Sequence, residues 1–90
     1  MKIKILIPVY NDWKSVFKVL DEINNLDLNS KFKISVIIIN DASNHDLPDL
    51  EKSLENIDSI KVLNMIINQG HTRSIAVGLK YIFEKEDFDY

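Results

Sequence analysis

The sequence predicts an α/β domain in which parallel strands alternate with helices, and three features of the 90 residues carry that prediction. Short runs of Ile, Val and Leu recur three times, apolar residues at helical spacing follow each run, and a polar cluster stands between each run and its helix. A repeated strand-helix order joins strands by crossovers, which sets them parallel in one sheet with helices layered on it.

The first run, residues 3 to 9, is Ile-Lys-Ile-Leu-Ile-Pro-Val and reads as a strand with most of both faces covered. Trp13, Val16, Phe17, Leu20 and Ile23 then share one helix face, with Asn11 or Asp12 as the cap and an end near Asn24-Asn25. Leu26 to Lys33 is a polar connection. The second strand covers residues 34 to 39, where Ile34, Val36, Ile37, Ile38 and Ile39 are nearly continuous. Leu47, Leu50, Leu54 and Ile57 form a shorter helical stripe, with Pro48 in a first turn that tolerates it. A third strand is expected from Val62 to Ile67, interrupted only by Asn64. From Gly70 onward Ile75, Ala76, Leu79, Ile82 and Phe83 make the last stripe, closed by Glu84-Lys85-Glu86. Phe88-Asp89-Tyr90 reads as the approach to a fourth strand, so the sequence is expected to be a piece of a longer protein.

Composition narrows the function. A hydrophobic fraction of 46% with 28% charged residues predicts a folded domain rather than a disordered tail. The net charge of -3 supplies no field for nucleic acid or an anionic membrane, so any anion must be bound locally. With no cysteine there is no disulfide framework and no thiolate chemistry, which fits a reducing cytoplasm. No apolar run approaches the roughly 20 residues of a membrane span, and the N-terminus lacks a signal pattern. Attachment to a membrane's inner face would need other regions of the protein.

Ligands of open parallel sheets bind beyond the carboxyl ends of the strands, where loops converge and helix N-termini offer N–H groups. The polar clusters fall at those ends: Tyr10-Asn11-Asp12, Asn40-Asp41-Ala42-Ser43 and Asn68-Gln69-Gly70-His71-Thr72-Arg73. Helix capping also favours Asn, Asp and Ser at such turns, so the clusters alone leave two readings open. As a binding site, Pro8 ends its ladder and lets the backbone turn, while Tyr10 offers a ring for stacking. Asp41 can accept a hydrogen bond from the N–H of uracil or guanine. Gly70 permits close approach, and Arg73 sits where a helix dipole disfavours a cation unless a phosphate accompanies it. His71 can reach the same phosphates or cap the helix; it has no partner at metal-ligand spacing.

At these residues the sequence resembles the family 2 glycosyltransferases. The matching blocks are Ile-Leu-Ile-Pro-Val-Tyr-Asn-Asp at 5 to 12, Val-Ile-Ile-Ile-Asn-Asp-Ala-Ser at 36 to 43, and Asn-Gln-Gly-His-Thr-Arg-Ser-Ile-Ala-Val-Gly-Leu at 68 to 79. The third block is most similar to the polyprenyl-phosphate sugar transferases related to dolichyl-phosphate mannose synthase. The resemblance implies a Rossmann-like, three-layer GT-A fold, of which residues 1–90 would be the N-terminal nucleotide-binding part with an incomplete parallel sheet. It further implies an inverting transfer from a UDP- or GDP-sugar to a hydroxyl or polyprenyl-phosphate acceptor, in cell-envelope polysaccharide or glycolipid synthesis. Carried over by position, Pro8, Tyr10 and Asp12 line the nucleotide, Asp41 hydrogen-bonds the base, and Ile39 adds backbone or wall contact. Ser43 supports that loop, and His71 and Arg73 lie near the ribose or diphosphate.

Two departures from the family pattern matter. Asn40-Asp41 stands where two adjacent acids are common, so Asp41 carries the role of the second acid alone. The Asp-x-Asp motif that holds Mg²⁺ or Mn²⁺ is expected beyond Tyr90, together with the catalytic base, so this chain alone is expected to be inactive. Asp87-Phe88-Asp89 has the spacing but precedes the fourth strand. Other readings fit less well. A receiver-type signalling module needs an aspartate where Asn68 stands, and a dinucleotide-binding oxidoreductase needs glycines after the first strand. A pseudoenzyme that keeps only the fold is the remaining alternative.

Overall fold

The computed structural model describes residues 1–26, 32–42, 55–68 and 70–90, with the backbone alone at residue 71. In chain order the elements are β1 (Lys2–Val9), α1 (Trp13–Asn24), β2 (Lys33–Asn40), β3 (Ser59–Asn64) and α2 (His71–Lys85). The sheet order is β1-β2-β3, and both pairs are parallel. The helix expected over Leu47, Leu50 and Leu54 lies outside the described residues.

Side-chain alternation divides the core between two faces. Ile3, Ile5, Ile7 and Val9 of β1 share a side with Ile34, Val36 and Ile38 of β2 and with Ile60 and Val62 of β3. Trp13, Val16, Leu20 and Ile23 of α1 cover that side, joined by Ile57. On the opposite side Leu6, Ile37, Ile39 and Leu63 meet Tyr81 and Ile82 of α2. The register agrees, since Ile5 stands opposite Val36 and Leu6 opposite Ile37. The result is a three-layer α/β arrangement, as the sequence predicts.

Among the described strands only β2 is buried on both faces. Val36, Ile37, Ile38 and Ile39 are fully buried, each removal from water being worth about 1.5–3 kcal/mol. β1 is largely half-buried and β3 is partly exposed, because α2 packs on β1 and β2 and leaves the flanks less covered. The third strand also starts and stops earlier than the apolar run suggests: Met65, Ile66 and Ile67 lie beyond its end, with Ile66 97% exposed.

The buried face of α2 differs from the expected stripe. Ser74 and Ile82 are buried, and Gly78 stands between them on the same face at i, i+4 spacing. Leu79 and Phe83 point outward instead, the latter 80% exposed. Gly78 is what allows α2 to lie so close to the sheet: a Cβ there would sit 2.5 Å from Leu6 Cδ1 and 3.0 Å from Ile39 Cγ1.

Pro8 does not break the β1–β2 ladder, because Val9 still pairs with Asn40 beyond it. The reason is parity. Lys4 N–H donates to the Tyr90 carbonyl at 2.8 Å and the Lys2 carbonyl accepts Tyr90 N–H at 3.2 Å. Even-numbered N–H groups of β1 therefore face away from β2, and the N–H that Pro8 lacks belongs to that outer side. The same two bonds are those of a parallel rung, so Tyr90 begins to pair along β1 as the fourth-strand reading expects.

Gly78→Val is expected to destabilise the chain by about 1–3 kcal/mol through overpacking, despite the better helix propensity of valine. Thermal unfolding measures this, and adding Leu6→Ala should restore part of the loss. Equal melting temperatures for wild type and Gly78→Val would contradict the close approach.

Candidate nucleotide site at the strand ends

The carboxyl ends of the strands are tied together by short bonds. Asp41 N–H donates to the Val9 carbonyl at 2.8 Å, Met65 N–H to the Asn40 carbonyl at 2.9 Å, and Asn40 Nδ2 to Asn64 Oδ1 at 3.0 Å. The backbone then turns sharply. Asn11, Ala42 and Gly70 have φ of 63°, 56° and 84°, and they are the residues with positive φ among those described. One lies in each polar cluster. Asn adopts this region readily, whereas for Ala42 it costs about 1–2 kcal/mol that the surrounding structure must offset.

Pro8, Val9, Tyr10, Asp41 and Ser74 line a recess of about 70 Å³ at this edge. Ligand pockets usually begin near about 300 Å³. The recess is therefore too small to enclose a whole ligand. Tyr10, 48% exposed, offers its ring at the rim. Asp41 is 4% exposed, and its Oδ2 accepts the Gly70 N–H at 3.0 Å, a donor that a buried carboxylate requires.

The expected site residues separate into groups. Pro8, Tyr10 and Asp41 come together at the recess. Asp12 is the cap of α1, its carboxylate accepting Ser15 N–H at 3.3 Å and Ser15 Oγ–H at 2.8 Å. Ile39 is fully buried on the α2 side and does not line the recess. Arg73 is exposed on the first turn of α2, and His71 opens that helix. Ser43 lies outside the described residues. Ser74 is a lining residue that the sequence reading missed: it is fully buried, with its Oγ donating to Met65 Sδ at 3.7 Å. A small polar residue four positions before Gly78 was the available signal.

Residues 4–85 match glycosyl transferase family 2. The chain belongs to glycosyl transferase family 2. No curated protein and no solved structure matches it. As a family 2 domain it places its polar clusters on the strand edge where open α/β sheets take ligands.

The opposite end of this glycosyl transferase domain is a network of paired charges. Glu86 lies between Lys61, 3.0 Å away, and Lys4, 3.9 Å away. Asp87 pairs with Lys2 Nζ, and Asp89 Oδ2 accepts the Lys2 N–H at 2.7 Å. Hydrogen bonding to Lys2, reinforced by its charge, holds the Asp87 carboxyl below its ordinary range. That pair therefore contributes stability at neutral pH which fades as acid protonates Asp87. Asp87-Phe88-Asp89 is thus turned toward the start of β1, and among the described residues no three His, Cys, Asp or Glu gather to hold a metal. Nor is any described helix long and apolar enough to cross a membrane.

The cap assignment is testable without a ligand. Asp12→Ala should cost about 1 kcal/mol of stability, and Asp12→Ser should recover most of it. Urea unfolding of the two variants checks this; an unaffected Asp12→Ala would show that the carboxylate does not stabilise α1.

Proposed function

We propose that the chain binds the nucleotide of a UDP- or GDP-sugar for an inverting glycosyltransferase. The observation that carries this reading is the pairing of a buried acceptor, Asp41, with an exposed ring, Tyr10, across one recess. Such a notch suits a base that is flat, stacks on Tyr10 and presents an N–H to the carboxylate. Pro8 and Ser74 border it, and in this reading Asp12 and the backbone of Ile39 contribute to the nucleotide pocket while the start of α2, with His71 and Arg73, takes the diphosphate. A guanidinium there supplies paired donors to phosphate oxygens.

The transfer displaces the nucleoside diphosphate from the sugar's anomeric carbon by attack of an acceptor hydroxyl or polyprenyl phosphate. A carboxylate base and a divalent cation, Mg²⁺ or Mn²⁺, serve such a reaction in the intact enzyme. The described residues do not fit that cation, so no step is assigned through it. In this reading the chain is the donor-binding part of the enzyme and does not turn over alone.

Binding is read by melting the chain with millimolar UDP or GDP. Ligand at ten times its Kd stabilises by about 1.4 kcal/mol, a rise of several degrees for a domain of this size. Tyr10→Ala should weaken binding by roughly the 1–3 kcal/mol of a base stack, and Asp41→Ala should remove it. No shift with either nucleotide would sink the reading.

A further inference from the structure

We propose that residues 86–90 are a strap over the outer side of β1, locked by Glu86 through Lys4 and Lys61 and set in register by Asp89 on Lys2. The lock stands apart from the nucleotide site, at the other end of the sheet. Glu86 is where the chain leaves α2: its N–H still donates to the Ile82 carbonyl at 3.0 Å, while its φ of -117° and ψ of 148° are extended. Its carboxylate lies 3.0 Å from Lys61 Nζ and 3.9 Å from Lys4 Nζ. Lys4 stands opposite Ser35 and Lys61 opposite Ile37, so one carboxylate joins β1 and β3 across the central strand.

Backbone bonds alone do not choose where the strap lies. The outward N–H and C=O groups of β1 repeat every second residue, so a segment could pair at Lys2 and Lys4 or, two residues on, at Lys4 and Leu6. Side chains break this tie. Asp89 Oδ2 accepts the Lys2 N–H at 2.7 Å and closes the ladder at its start. The Asp89 and Tyr90 N–H groups then share the Lys2 carbonyl at 2.8 and 3.2 Å, and the Tyr90 carbonyl accepts the Lys4 N–H at 2.8 Å.

Apolar burial does not hold the strap, because Phe88 and Tyr90 border the groove beside Leu6 and Phe83 yet both stay exposed. The charges differ in weight. Lys2 and Asp87 are exposed, a pair that water and salt largely cancel. The side chains of Lys4 and Glu86 are only 13% and 11% exposed. Removing that carboxylate leaves a largely desolvated ammonium with no ion-pair partner among the described residues. Glu86 is therefore the lock, and Asp87 adds little to it.

Amide exchange in the full chain tests this, with the Lys4 amide reporting the strap and the Ile5 amide, on the β2 side, reporting the sheet. In Glu86→Gln, exchange at Lys4 should rise at least about tenfold while Ile5 changes less than about twofold. In Asp87→Asn the rise at Lys4 should stay below about threefold. Asp89→Ala should speed exchange at the Lys2 amide at least about tenfold. An unchanged Lys4 amide in Glu86→Gln overturns the lock, as does equal acceleration at Lys4 and Ile5, which would make Glu86 a support of the whole sheet. Asp87→Asn loosening Lys4 as much as Glu86→Gln would assign the hold to the exposed pair and overturn Glu86 as its lock. A Lys2 amide unaffected by Asp89→Ala overturns the register role.

Discussion

The burial of β2 on both faces is the constraint on which the remaining structure depends. Its residues alternate between α1 and α2, so one strand fixes the positions of both helical layers. A shift of register by one residue would exchange Val36 and Ile38 with Ile37 and Ile39 and misplace both layers at once. The same strand delivers Asn40 and Asp41 to the edge, where they contact the ends of β3 and β1 respectively. The polar edge is therefore positioned by the least polar part of the chain.

The sequence discloses this arrangement unevenly. β1, α1 and β2 were legible because their apolar residues are numerous and their ends carry Asn or Asp. β3 was displaced because hydrophobicity reports burial, not hydrogen bonding: Ser59-Ile60-Lys61 belongs to the ladder, while Ile66 and Ile67 do not. On α2 the column facing the sheet contains a serine and a glycine, which an apolar stripe cannot reveal. Leu79 and Phe83 match the stripe but border a groove of about 440 Å³ beside Phe88 and Tyr90.

The candidate site shows the same limit in another form. Residue types pointed to Pro8, Tyr10 and Asp41, and these gather. Asp12 satisfies the capping explanation that its type also allowed, and Ile39 is sealed in the core. What no residue type discloses is that Asp41 is bonded to a backbone amide 29 positions away. Backbone donors have no letter in the sequence, so contacts of this kind become visible only when the chain is folded.

Pro8 has a consequence for the outer side of β1, the side along which Tyr90 begins to pair. Along that side the amide donors fall at even positions, and at Pro8 the series stops. Any strand pairing there finds Leu6 to hold and nothing further toward the polar end. The proline thus ends the outer ladder just short of the recess, and keeps the backbone at the recess out of that ladder without weakening the ladder to β2.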